Sequence, residues 1–238
     1  MKIDPASYWS QIVQDGTLER WSRNARRKIL IWRGTVLLAR ALKRALDILG
    51  ALAALCVFAP IFILTSILIK LEDRGPVFFC QQRVGAGGRL FGIWKFRSMV
   101  VNADKIKDQL LEANQHGQAG VTFKMKDDPR ITKVGKWIRK LSIDEFPQFY
   151  NVLRGEMSLV GPRPPVPREV ASYNASHLRR LRVKPGITCL WQIGGRANID
   201  FEGQVRLDLQ YIRSSSVVYD ILILLKTVPA VLFGKGAY

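Results

Sequence analysis

Between Ile48 and Ile69 the chain carries 22 consecutive residues without a charged side chain. As a helix such a run reaches ~33 Å, enough for the hydrocarbon core of a bilayer. Pro60 stands near its middle, where a missing N–H and a bulky ring force a bend. Arg40, Lys43 and Arg44 precede the run, and Lys70, Arg74 and Arg83 follow it. Positive charge marks the cytoplasmic side of a membrane. A run that is basic at both ends therefore predicts a helix that enters one leaflet, bends at Ala59-Pro60 and returns. A full span, or a buried core helix of a soluble protein, would carry the same run.

The rest of the composition narrows the partners. The 238 residues allow one domain with additions or two small ones. With 37 Lys and Arg against 19 Asp and Glu the net charge is +18, yet 48% of residues are hydrophobic, which excludes a disordered polycation. A basic globular protein attracts nucleic acid, anionic lipid or phosphorylated substrates. A nucleic-acid module leaves the apolar run unexplained, so no nucleic-acid partner is expected. Ten Lys or Arg fall within residues 1–46, making a basic lead-in. Three scattered cysteines and two histidines argue against a disulfide framework or structural zinc. Polar residues 1–28 lack the pattern of a cleaved signal peptide.

Beyond the run, residues 76–82 and 89–97 read as strands joined by Gly85-Ala86-Gly87-Gly88, a hairpin in which Phe79, Phe91, Ile93 and Phe96 pack. No helix and Lys-Ser/Thr pair follow these glycines, so they make a turn rather than a phosphate cradle. Residues 101–115 look helical and 116–130 look like a loop, where Asp127-Asp128 before Pro129 is turn chemistry rather than a metal-binding pair.

Residues 135–167 carry the chemistry. Ser142-Ile143-Asp144-Glu145 fits a capping box, although Pro147 sits better if Asp144 is itself the cap. In either register both carboxylates lie in a helix's first turn, where the macrodipole favours the ionised form. They could then serve as nucleophile or metal ligand, or merely cap the helix. Arg163, held in Gly161-Pro162-Arg163-Pro164-Pro165, is a rigid guanidinium suited to clamping phosphate, unless the prolines are a plain spacer. Arg130, Arg139, Lys140 and Arg154 make the neighbourhood basic.

Seven features in order carry a resemblance: the basic-flanked apolar helix with Pro60, Lys95-Phe96-Arg97-Ser98-Met99, Asp144-Glu145-Phe146-Pro147-Gln148, Asn151-Val152-Leu153-Arg154-Gly155, Gly161-Pro162-Arg163-Pro164, Lys184-Pro185-Gly186-Ile187-Thr188, and Trp191-Gln192 leading to Gly195-Arg196. Over residues 40–238 the chain resembles the bacterial sugar transferases that start surface-polysaccharide assembly, the monotopic polyprenyl-phosphate phosphoglycosyl transferases. The resemblance implies transfer of hexose 1-phosphate from a UDP-sugar to undecaprenyl phosphate, with release of UMP and with Mg²⁺. It implies Asp144 as a nucleophile forming a phosphosugar-aspartate intermediate, Glu145 as its helper, and both as ligands of the metal. It places Lys95, Arg139, Arg163, Arg196 and Asp220 around the nucleotide and phosphates.

The fold so implied is membrane-associated α/β: a basic extension over 1–39, a re-entrant helix over 40–72, and a cytoplasmic transferase domain with interfacial helices over 73–238. It would rest on the anionic inner leaflet of the bacterial cytoplasmic membrane. Many relatives have Ser-Pro at the bend where this chain has Ala59-Pro60, and glycine where it has Cys189, here taken as a packing residue. The short chain ending in Gly236-Ala237-Tyr238 is similar to compact exopolysaccharide-initiating members, from which galactose or glucose is expected. A non-catalytic membrane scaffold of a polysaccharide complex would fit the charge and the helix too. Homo-oligomerisation stays open.

Overall fold

The computed structural model describes residues 17–103, 128–194 and 199–233, so Arg196, Asp127, His116 and most of the stretch over 101–130 lie outside the described residues. The chain forms two units, Met1–Lys43 and Arg44–Tyr238. The first contributes the leading part of helix α1 (Thr17–Val57), on which Leu30 and Trp32 are exposed.

Helix α1 stops at Val57, Phe58 takes non-helical angles, and α2 (Ala59–Asp73) leaves at a 59° bend. Pro60 thus falls in the first turn of α2, where a missing N–H costs no helical bond. The break comes just ahead of the expected Ala59-Pro60 position because a proline disturbs the turn before it. Among the described residues no single helix is long and apolar enough to cross a membrane; the bent pair together is.

Two polar anchors hold the apolar helix to the rest of the second unit. Asp47, 3% exposed, accepts hydrogen bonds from Ser158 Oγ (2.8 Å) and the Leu159 amide (2.9 Å). Arg44 donates to the carbonyls of Val152 (2.7 Å) and Leu153 (2.8 Å), satisfying the end of a later helix.

Strands β1 (Phe78–Val84) and β2 (Leu90–Phe96) pair antiparallel from Phe78 opposite Phe96 to Val84 opposite Leu90. The turn between them needs glycine at Gly87 and Gly88, whose φ angles are 67° and 80°. Ile93 and Phe96 are buried as expected, but Phe79 is 41% exposed; Phe78, exposed as well, stacks one face on Phe96 at 5.3 Å. The pairing puts Arg83, Ile93 and Lys95 on one face of the hairpin.

Helix α3 (Lys133–Lys140) is capped by Thr132 Oγ1 and by Glu72, which accepts from the Lys133 amide at 2.7 Å. A three-residue 3₁₀ turn, Ile143–Glu145, leads through Pro147 into α4 (Gln148–Arg154), ended by left-handed Gly155. Asn151, fully buried, binds this helix to the hairpin through the Trp94 amide (3.0 Å) and the Gly92 carbonyl (2.7 Å). Strands β3 (Ser158–Val160) and β4 (Gly186–Thr188) pair parallel, with α5 (Pro167–Ala171) and a 3₁₀ segment, His177–Arg182, between them. Three helices follow: α6 (Leu190–Gly194), α7 (Phe201–Ser214) and α8 (Val217–Phe233).

The result is a mixed α/β arrangement with two clusters of buried residues. Ala51 from α1 joins Ile93, Val152, Met157, Leu159, Val160, Tyr211 and Ile223 in the larger. In the smaller, Ile69, Phe96 and Ile138 gather Phe62, Ile143 and Phe146 around them, beneath the Asp144-Glu145 turn.

Candidate active site

The acid-bearing turn is not the helix start expected from its sequence. Ser142 adopts φ 55°, ψ 21°, the left-handed region unusual for a residue with a Cβ, and its side chain caps nothing. The amides of Glu145 and Phe146 bond back to Ser142 (3.2 Å) and Ile143 (3.1 Å), closing a 3₁₀ turn. No capping box forms in either register, and Pro147 rather than Asp144 precedes α4. Apolar neighbours fix the turn instead: Ile143 and Phe146 flank the two acids, and Phe146 stacks on Phe58, the bend residue, at 4.5 Å between ring centroids. Such pairs contribute about 0.5–1.5 kcal/mol beyond the area they bury.

Lys95, from the hairpin, reaches over the turn. Its Nζ lies 2.8 Å from Glu145 Oε1 and 3.9 Å from Asp144 Oδ2. Burial pushes the Asp144 carboxyl up to about 6, with Glu145 adding to the rise and Lys95 and Arg139 opposing it. Burial acts on Glu145 too, but the charge and hydrogen bond of Lys95, then Arg163 and Arg83, outweigh it and hold that carboxyl below its ordinary range. The two neighbours are thereby separated in acidity. Lys95 and Arg139, rather than a helix dipole, are what favour the ionised form of Asp144 against its burial.

Beside the turn opens a pocket lined by Arg83, Lys95, Glu145, Gln148, Arg163 and the backbone of Gly186. Gly186 has no room for a side chain, since a Cβ would stand 2.0 Å from the Gly161 nitrogen. Arg163 is exposed on the proline loop, whereas Arg83 is 7% exposed and is lowered to about 10 by burial and by its neighbour Arg163. A cavity walled by three cations and one carboxylate suits a polyanion. The bacterial sugar transferase family matches residues 38–234. The chain belongs to that family.

Three relatives show how far the likeness runs. It is 55% identical over 198 residues to the galactosyl transferase CpsE of Streptococcus agalactiae serotype III, covering 82% of this chain and 43% of that protein. It is 41% identical to the exopolysaccharide production protein ExoY of Rhizobium meliloti, over 82% of this chain and 88% of the relative. It is 43% identical to the undecaprenyl-phosphate galactose phosphotransferase of Salmonella typhimurium, over 84% of this chain and 42% of the relative. The chain thus spans less than half of CpsE and of the Salmonella protein but most of ExoY.

Within this sugar transferase, the structure gathers Lys95, Asp144, Glu145 and Arg163 in and beside the pocket, with Arg139 close enough to act on Asp144 by charge. It does not bring Asp220 there. That carboxylate, 1% exposed on α8, is a core group whose Oδ1 lies 2.7 Å from the Tyr211 hydroxyl, itself 3.0 Å from the Val160 carbonyl. Asp128 is the turn residue expected, with both carboxylate oxygens on Arg130 at 2.8 and 2.6 Å. Cys189 is buried and its thiol is pushed well up by burial, an unreactive packing group.

Among the described residues no group of three or more Asp, Glu, His or Cys could hold a metal ion. Asp144 and Glu145 are the adjacent carboxylates at the pocket, the type and number Mg²⁺ takes when water and substrate phosphates complete its shell, and Lys95 Nζ stands on Glu145 Oε1 at 2.8 Å. Three polar pocket residues escaped sequence reasoning: Arg83, read only as a basic flank of the apolar run, Gln148, 3% exposed at the start of α4, and Gln192 on α6. An arginine between Gln82 and Val84 in a strand pattern was the available signal for the first.

Proposed function

We propose that this chain transfers hexose 1-phosphate, from UDP-galactose or UDP-glucose, to undecaprenyl phosphate and releases UMP, so initiating a surface polysaccharide. The observation that carries this reading is the Asp144-Glu145 turn held under Lys95, beside a cation-walled pocket and stacked through Phe146 against the bend of the apolar helix pair. The names of the relatives support the lipid carrier and the sugar class.

In the first step an Asp144 carboxylate oxygen attacks the sugar-bearing phosphorus. A phosphorus–oxygen bond forms to Asp144, the bond to the bridging oxygen breaks, and its electron pair leaves on UMP. In the second, an oxygen of undecaprenyl phosphate attacks the same phosphorus and the carboxylate departs. Both steps bring anions together, so positioning and charge neutralisation dominate the barrier. Lys95 neutralises Glu145 and faces Asp144, Arg139 favours the ionised nucleophile, and Arg163 faces the substrate phosphates. Asp144 and Glu145 would hold Mg²⁺, which would supply further charge neutralisation for the diphosphate.

A re-entrant seat in the cytoplasmic leaflet is supported by the 59° bend and by apolar side chains left exposed on both its arms, among them Leu49, Val57, Ile63 and Leu71. A buried core helix would have them covered. Trp137, 72% exposed among Lys133, Lys136 and Lys140 on α3, suits the interface beside anionic headgroups.

The test is UMP release by detergent-purified protein from a panel of UDP-sugars with undecaprenyl phosphate and Mg²⁺. Release with one sugar is expected, with a phosphosugar adduct on wild-type protein and a loss of at least 1000-fold in Asp144→Asn, about 4 kcal/mol of barrier. Activity retained by that variant would remove Asp144 from its role.

A further inference from the structure

Arg83 carries a buried charge on which Glu169 and Glu145 act only from a distance, without a direct ion pair. Its guanidinium is more than nine-tenths buried, yet among the described residues no carboxylate lies within 4.0 Å of it. Its two hydrogen bonds go to neutral acceptors, Nη1 to the Pro164 carbonyl at 2.9 Å and Nη2 to Gln81 Oε1 at 2.7 Å. Nε has no partner. A guanidinium offers five N–H donors, so three of them are unfilled. Burying an unpaired charge with unfilled donors is costly, and proteins normally supply a carboxylate. The other buried arginines among the described residues follow that rule, Arg97 on Asp73, Arg130 on Asp128 and Arg180 on Asp208, although Nε is also unpartnered in Arg97 and Arg180, so the missing carboxylate is what sets Arg83 apart. Arg83 instead faces the pocket, with a second arginine, Arg163, beside it.

We infer that Arg83 is a phosphate-binding residue, one half of a two-guanidinium clamp with Arg163 that takes a substrate phosphate group. The missing counter-charge arrives with the substrate. This inference rests on the transfer reading for the identity of the substrates. The phosphate could belong to the nucleotide diphosphate or to the lipid carrier, which present the same chemistry. The bond to Pro164 gives Arg83 a second effect, because it ties the loop that carries Arg163 to β1.

The test compares wild type, Arg83→Gln and Arg83→Lys as full-length protein in detergent. Two readouts are used: KM for each substrate, and calorimetric titration with pyrophosphate across a salt series. Arg83→Gln should weaken pyrophosphate binding at least tenfold and flatten its salt dependence, while Arg83→Lys, which keeps the charge, recovers part of the loss. A KM increase confined to the UDP-sugar assigns the clamp to the nucleotide diphosphate, and one confined to undecaprenyl phosphate assigns it to the carrier. Unchanged pyrophosphate binding and unchanged KM for both, with only a lower melting temperature, would make Arg83 a prop for Pro164 and overturn the inference. Should wild type transfer no sugar from the panel, the transfer reading fails separately, and the titration still decides the role of Arg83. If Arg83→Gln does not fold, the Arg83→Lys titration alone is decisive, since the lost fork must weaken binding.

Discussion

Two acids in this molecule, one buried and one half-buried, are perturbed alike and are built for different ends. Asp144 and Asp208 are both raised to about 6, in each case chiefly by burial with a cation opposing. Asp208, on α7, has Arg180 to itself at 2.6 Å, in a site where that pair is 1% and 5% exposed and the rings of Tyr173 and Phe201 cover the guanidinium. Asp144 must share Lys95 with Glu145, which holds it more closely, and its turn borders an open pocket. A raised pKa therefore does not by itself mark a site. What separates the two is whether the cation is exclusively paired and whether the acid can be approached.

That contrast is sharpest in what removal of each acid does to stability. Asp208→Asn leaves Arg180 buried without a counter-charge, a cost of about 3–5 kcal/mol that relief of the raised Asp208 carboxyl offsets in part, so a net loss of about 1–2 kcal/mol is expected as a lowered denaturation midpoint. A loss below 1 kcal/mol would erase the distinction. Asp144→Asn should do the reverse. A carboxyl raised in the folded protein opposes folding once ionised, so stability falls as pH climbs from about 4 through 6, and at pH 7.5 the neutral amide should be more stable by on the order of 2 kcal/mol. Lys95 keeps Glu145, so no charge is stranded. Smallest is the pH profile: transfer by the wild-type protein should fall about tenfold per unit below pH 6 as Asp144 protonates. An Asp208→Asn protein that remains folded should show the same midpoint, and a shifted one would couple the two acids.

Much of this was legible in the chain. A long uncharged run with one proline announces a bent helix pair, because a missing N–H acts locally. Glycines at the hairpin turn do the same through their positive φ angles. The acid turn misled for an equally local reason: Ser-x-x-Glu has capping chemistry, but left-handed Ser142 and Pro147 close a 3₁₀ turn, which apolar packing across the chain then holds. Arg83 meets Pro164 across 81 positions of sequence, and no pattern within β1 reports that contact. The resemblance implies a substrate role for Asp220, whereas its partner Tyr211 lies on a different helix that no local pattern around Asp220 reports.

The stack of Phe146 on Phe58 ties the acid turn to the bend. On the proposed reading, a carrier phosphate moored by its isoprenoid tail has a set height above the bilayer midplane. The nucleophile then has a set height as well, dictated by how deeply the bent helices sit. Reaction becomes a matter of vertical registry between enzyme and lipid, and bilayer thickness joins concentration as a variable of the rate.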